Sequence, residues 1–460
     1  MIYQENINKL KHSMNITDKT NPGKHTINKV APFLPFGTRN PERPKFKRKF
    51  SGVTGELVRL INNKELVKEF NLEENIDEIV LKVQCKSEED RKYLKELIKD
   101  NLIDKDGNIN IFHPKLLNYI QLTNGQESKG EEKIAKFLYD LFFYNNGKIS
   151  SSFRGHDKND VITKLILRKL EGLEDIDSKP QEKRKYFNKL NFISNIAKED
   201  FEFLSEHKEY FLKNFQNLVS YYYFYYITQL CIKLNKKEKA DFSKPEELYY
   251  LLDWESSSKN RRSVVRGYKY IKSECKNLLI NINIVEHLNF LFNVEGKSLN
   301  EIIDIYNNSQ NEEKINYLET MREWIYEYKE HYAQESIELE LDFNILVDEL
   351  EKSLQRKIDQ ATISRYALFI EEIGKCYFLK NRGGYYGYML NMTQEMILLL
   401  TAVCIKENKI TLNALYKEYE KRGLFLDKYS KELVEELLGK LNLIDKKSDS
   451  GDAQYVKAIL

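Results

Sequence analysis

The residues best placed by type and spacing to do chemistry are the carboxylates Asp253 and Glu255, with Glu274-Cys275-Lys276 downstream. Clustered carboxylates beside a lysine are what a Mg²⁺-dependent nuclease needs to hold its metal. The surroundings argue against that use. Tyr268 to Leu279 reads as a helix where such sites use a strand, and E-x-K triplets are common in so lysine-rich a chain, so structural salt bridging is expected. Gly296-Lys297-Ser298 resembles the end of a P-loop, but the loop's first glycine would fall on Leu291. Without it no nest of backbone amides can cradle a nucleotide phosphate. The seven histidines are scattered without paired ligand spacing. Arg154-Gly155-His156-Asp157 could orient an imidazole for acid–base work, but helix capping by Asp157 or Asp160 accounts for the acids, and a surface histidine is expected. No catalytic residue, metal ligand or cofactor is assigned, and the chain is expected not to be an enzyme.

Binding chemistry is better represented. Leu251 to Arg262 joins Trp254 to the hydroxyls of Ser256–Ser258 and the cations Lys259, Arg261 and Arg262. That set suits an anion; a helix start over a packed Trp254 is the alternative. In the first 55 residues, Arg39, Arg43, Lys45, Lys47, Arg48 and Lys49 face only Glu42, the most basic short stretch of the chain. It reads as a solvated arm or as a phosphate contact. With Lys446 and Lys447 near the C-terminus, the candidate nucleic-acid contacts are Arg43, Lys45, Lys47, Arg48, Lys49, Lys259, Arg261, Arg262, Lys446 and Lys447. The run Tyr221 to Tyr226 is six consecutive aromatics, which on a helix cover every face. Not all are expected to fit one core; helix–helix packing with hydroxyls on polar partners is favoured over single-strand base stacking.

The elements that must position these groups are mostly helical. Residues 1–55 are expected to be irregular, because Pro22, Pro32, Pro35, Pro41 and Pro44 prevent long helices. Helical spacing begins near Gly55, and a short strand is expected at Ile79 to Val83. A helix from Glu88 to Leu102 ends in the turn Asp104 to Gly107, followed by strand-like alternation at Ile109 and Ile111. Further helices are expected at Glu131 to Tyr144, Asp160 to Leu173, Glu199 to Leu234, Asn300 to Tyr306, Glu312 to His331, Phe343 to Gln360 and Ser364 to Leu379. The glycine-rich Arg382 to Gly387 reads as an internal boundary. The divisions are thus a basic arm (1–55), an α-rich domain with minor β (56–195), a central helical domain (196–381) and a C-terminal module (391–460).

In that module Asn391 is expected to cap a first helix, with Gln394 in the capping-box position. Thr411 caps a second, stopped by Gly423. Ser430 starts a third, with Leu433, Val434, Leu437, Leu438 and Leu441 inward. Leu443 to Lys447 and Gln454 to Ile459 then form a hairpin. Three helices and a hairpin is the winged-helix order. Its third helix would enter a DNA groove, yet Glu432, Glu435 and Glu436 accompany Lys428, Lys431 and Lys440, so protein docking is expected ahead of DNA reading. The fold class is therefore mainly α, multi-helical with minor β and a C-terminal winged-helix-like module.

Composition sets the outer bounds. With 460 residues, 73 Lys+Arg and 71 Asp+Glu, the net charge of +2 gives no global pull toward nucleic acid or membrane, so any such contact must be a local patch. Five widely spaced cysteines suit a reducing cytosol better than a disulfide framework. Met1 to Thr20 has no apolar core of a signal peptide. Asn217 to Leu234 lacks charge until Lys233, but its five tyrosines fit a buried helix better than a membrane span. A cytoplasmic protein is expected.

The Leu252-Asp253-Trp254-Glu255-Ser256 turn and the ending Lys446 to Ile459 resemble the G subunit of phosphorothioation-dependent DNA restriction systems, the DptG/DndG family. Leu34-Pro35-Phe36 leading to Val53-Thr54-Gly55-Glu56 is similar to that family's N-terminal region, and the likeness spans essentially the whole chain. The resemblance implies a bacterial defence role, in which F, G and H subunits attack DNA lacking the backbone mark. It places ATPase and translocase activity in the F and H partners and carries over no catalytic residue. Two other readings stay open: a nuclease built on Asp253 and Glu255, and a winged-helix transcriptional regulator.

Overall fold

The computed structural model describes residues 2–16, 32–36, 43–67, 71–105, 108–144, 146–153, 160–170, 172–176, 184–446 and 454–460. The protein is mainly α-helical, with short strands gathered in small sheets. Its organising element is the 29-residue helix Lys208–Lys236. All six aromatics from Tyr221 to Tyr226 on this helix are buried, which corrects the expectation that they could not share one core. Other helices cover the segment on several sides, among them Asn191–Glu206, Leu278–Leu291 and Leu368–Tyr377. Buried phenols need hydrogen-bond partners. Tyr221 and Tyr225 donate to the carbonyls of Arg422 and Lys421, Tyr222 to Asp200, and Tyr226 to Asn188. Among the described residues, no helix is long and apolar enough to cross a membrane.

One core cluster runs from Ile7 to Val456. A second, smaller one joins Ile76, Ile79 and Val80 to Ile98, Leu102, Leu116, Tyr119, Ile166 and Leu170. The expected strand at Ile79 to Val83 is instead the end of the helix Leu72–Leu81, capped by Asn71. Its buried Ile76, Ile79 and Val80 follow a three-to-four spacing, which a short apolar run cannot distinguish from alternation. The helix Glu88–Leu102 has its expected bounds, with Ser87 and Asp90 forming a capping box. Ile109 makes only an isolated bridge to Ile103. The expected helix Glu199 to Leu234 is broken at His207, and Tyr268 to Leu279 between Glu274 and Leu278.

The first 55 residues are not irregular throughout. Ile2–Ser13 is a helix whose Ile7 and Leu10 are fully buried, as is Met14 just beyond it, and Asn6 donates to the Leu291 carbonyl. No proline interrupts this stretch, so proline density further on said nothing about it. Nor is the basic arm a free one in its described part. Phe33, Leu34, Phe46 and Phe50 are buried, and Phe36 stacks on Phe369.

Arg382 to Gly387 is a hairpin turn, joining strand Leu379–Asn381 to Tyr388–Met392. The second strand also pairs in parallel with Leu251–Leu252, so the chain here is tied to a segment some 140 positions away in sequence. Asn391 lies inside that strand and does not cap; Thr393 caps the helix Gln394–Ile405 by accepting from the Met396 amide. Strand Ile410–Thr411 follows, then helices Leu412–Lys421, capped by Thr411, and Lys428–Lys440, capped by Asp427. Strands Ile444–Lys446 and Gln454–Val456 close the chain. Gln454–Val456 is the middle of the three, flanked by Ile410–Thr411 and Ile444–Lys446.

Candidate nucleic-acid interface

The arm's cations divide into two sets. Arg43 and Lys45 hold the arm down: Arg43 Nη2 donates to the Arg365 carbonyl at 3.1 Å, and Lys45 Nζ to Glu372 at 2.6 Å. Burial pulls the Arg43 guanidinium below its ordinary value, with the neighbouring Glu372 charge acting against it. The next three cations sit on a tight turn between two buried anchors, Phe46 and Phe50. Phe46 and Lys49 adopt φ of 50° and 52°, so the backbone doubles back and Lys47, Arg48 and Lys49 stand outward. Phe50 N donates to the Tyr377 hydroxyl at 3.0 Å, and Ser51 Oγ to Gln216 at 3.1 Å, fixing the turn to the central helix.

These three cations line a cleft of about 640 Å³. Its other walls include Asp104, Asn108, Ile109 and Ile111, Leu117–Gln121 and the segment Leu212–Asn217 of the central helix, which adds the exposed Lys213. Arg48 Nη2 crosses to the Gln121 carbonyl at 2.7 Å. Among the described residues, Lys47, Lys49 and Lys213 pair with no carboxylate, and Asp104 is the one acidic residue on the cleft's lining. The Leu117–Gln121 wall is set by the helix Ser51–Asn62. A Cβ on Gly55 would lie 2.2 Å from the Ile120 carbonyl oxygen, so only glycine permits the approach. Arg59, buried and paired with Glu56, donates to the carbonyls of Asn118 and Ile120, each at 2.7 Å. Glu131 lies against Gly52 of the same helix and accepts from both the amide and hydroxyl of Thr123 at 2.7 Å. Burial pushes its carboxyl up, and the two Thr123 bonds pull the other way.

The other sequence candidates do not join this cleft. Lys259 lies over the Tyr385 ring, and Arg262 donates to the Tyr249 hydroxyl at 2.6 Å. The reading of Arg261 as an anion contact is corrected. It is only 7% exposed, pairs with Glu255 and Asp427, and donates to Ser430. Its charge is neutralised in locking the Leu251–Arg262 segment to the start of the Lys428–Lys440 helix. Trp254 is 42% exposed, so it is not the packed residue of the alternative reading. Lys446 ends a strand facing Gln454; Lys447 lies outside the described residues, as do Arg154 to Asp157.

The nuclease-like carboxylates are engaged in structural pairs. Asp253 pairs with Lys380 and accepts from Asn391, Glu255 pairs with Arg261, and Glu274 accepts from Asn235. Among the described residues, no three His, Cys, Asp or Glu side chains group as a metal site. Ser298, at the P-loop-like triplet, caps the helix Leu299–Asn308 in a box with Glu301. His113 and His287 are buried, unlike surface histidines. Lys213 escaped the sequence reading because only the packing of the central helix against the arm brings it to Lys47 and Lys49. Neither the protein-family models nor the curated proteins include a match to this chain.

Proposed function

We propose that this chain is a non-catalytic subunit of a cytoplasmic bacterial DNA restriction complex of the phosphorothioation-dependent kind. In this reading it assembles with the F and H ATPase and translocase subunits and holds DNA backbone in the cleft at Lys47, Arg48 and Lys49. The observation that carries the DNA part is the turn itself. Three adjacent cations are held outward by two buried phenylalanines, over a cleft whose lining has, among the described residues, a single acidic one. Affinity for a phosphate backbone comes from such cations displacing condensed counterions.

The C-terminal elements run helix, strand, helix, helix, strand, strand, which supports a winged-helix-like module. Its third helix supports docking to protein over reading of DNA. Lys428 and Lys440 pair with Glu432 and Glu436 one turn along, and Lys431 with Glu420, so the helix offers little uncompensated positive charge.

Co-purification of the native protein tests the assembly. A salt-resistant complex containing a P-loop ATPase is expected; isolation of the chain without one overturns the restriction reading. Sequence-specific duplex binding by the full chain, lost on changing the exposed face of Lys428–Lys440, would instead favour the regulator.

A further inference from the structure

The segment Leu251 to Arg262 and the hairpin Leu379–Met392 meet on a face that the basic cleft does not use. Arg382 donates to the carbonyls of Glu255 and Leu252 at 2.5 and 2.8 Å, and Lys380 reaches both the carbonyl and carboxylate of Asp253. The hairpin itself contains no acidic residue. Its turn passes through Gly383, Gly384 and Gly387 at φ of +71°, +43° and +58°, and a Cβ at any of them would meet nothing within 4 Å. These glycines therefore serve the path of the backbone rather than a tight fit. The amides of Tyr386 and Gly387 both donate to the Gly383 carbonyl, closing the turn. Tyr386 packs on the small cluster of Leu251, Val264 and Met389.

Tyr385 is thrown the other way and is 63% exposed. Lys269 Nζ lies 4.3 Å from its ring centroid and donates to its carbonyl at 2.7 Å; Lys259 Nζ lies 5.5 Å from the ring. Both lysines are exposed. A large ring held in water forgoes burial, and a turn with three left-handed residues is a specialised way to display it. An open ring with ammonium groups beside it is the pairing by which proteins take single strands, the ring stacking on a base and the cation meeting the phosphate. In a duplex each base face is covered by its neighbour, so a ring at a hairpin tip can stack only on an unpaired base.

We propose that Tyr385, with Lys259 and Lys269, forms a base-stacking site for single-stranded nucleic acid, separate from the cleft. The site rests on its own geometry and does not require the cleft reading to hold. Its test is fluorescence anisotropy on the full-length protein with a labelled oligothymidylate and a duplex of equal length. Tyr385→Ala should weaken oligothymidylate binding by about tenfold or more, whereas Tyr385→Phe, which keeps the ring, should restore it. Lys259→Ala with Lys269→Ala should flatten its salt dependence. Duplex affinity should be unchanged in all of these and reduced only when Lys47, Arg48 and Lys49 are replaced, so the two sites are judged separately. Photocrosslinking through 5-iodouracil should map to Tyr385. Oligothymidylate affinity unchanged in Tyr385→Ala overturns the proposal. So does wild-type protein that binds no single strand, which would leave the tip to a protein partner.

Discussion

Arg422 grips Asp200 with two parallel hydrogen bonds, Nε and Nη2 each 2.7 Å from one carboxylate oxygen, across 222 positions of sequence. Both side chains are buried, and the Tyr222 hydroxyl donates to the same carboxylate. The pair ties the end of the helix Leu412–Lys421 to the helix Asn191–Glu206, and so fastens the C-terminal elements to the central helix. Arg422 also pairs with Glu418, but its removal leaves the Asp200 charge buried and uncompensated, which costs about 3–5 kcal/mol. Arg422→Ala should lose stability on that scale in guanidinium denaturation, while Arg422→Met combined with Asp200→Leu should recover most of it. A single variant within about 0.5 kcal/mol of wild type would show that the pair contributes nothing.

Stability should also fall on mild acidification, through His113. This side chain is buried, and its Nδ1 accepts from the Lys115 amide at 3.2 Å, a role open only to the unprotonated ring. Burial, with the charges of Lys208 and Lys115, lowers its value from 6.5 to about 4. Between those two values the unfolded chain binds more protons than the folded one, so stability rises with pH. The neutral ring's contribution is thus complete above pH 6.5 and is lost as pH falls toward 4. His113→Asn keeps an acceptor without a titration, and its urea midpoint should fall less between pH 7 and pH 5 than that of wild type. Equal falls would assign the acid sensitivity elsewhere.

The helices were legible where their own residues carry the signal. Thr411 and Gly423 bracket Leu412–Lys421. Short apolar runs such as Ile79 to Leu81 were not, since three residues fit either period. The site was half legible. The charges of Lys47, Arg48 and Lys49 are plain in the sequence, but that Arg43 and Lys45 anchor while their neighbours project depends on Glu372 and Arg365, more than 300 positions away. Arg261 was misread for the same reason: its partner Asp427 is 166 positions distant.

Two glycine-to-alanine changes should have opposite signs. At Gly55 a methyl group would stand 2.2 Å from the Ile120 carbonyl oxygen and 2.8 Å from its Cβ, forcing apart the helix and the cleft wall. Overpacking of this kind costs about 1–3 kcal/mol, more than alanine's helix preference returns. At Gly439, inside the helix Lys428–Lys440, the same methyl meets nothing within 4 Å. There only the backbone term remains, and Gly439→Ala should stabilise by about 0.5–1 kcal/mol. Thermal melts of both variants check the pair; a stabilised Gly55→Ala would mean that the wall is not closely fitted.

The arm offers the sharpest division between holding and binding. Lys45 is spent on Glu372, and the Lys45 amide also donates to Glu127, whereas Lys47 and Lys49 have no carboxylate partner among the described residues. Lys45→Glu should therefore act on stability, by setting two carboxylates against each other, and leave DNA affinity per folded molecule nearly unchanged. Reversing Lys47, Arg48 and Lys49 to glutamate should do the opposite. Their side chains stand outside the core, so the melting temperature should hold while duplex affinity falls. Each phosphate contact contributes about 0.9 to the slope of log K against log salt, so removing three should flatten that slope by roughly 2–3. Titrations of a short duplex at several salt concentrations, beside melts of the same preparations, separate the two effects. An unchanged slope in the triple variant would return the turn to the role of a solvated surface and remove the cleft from the DNA path.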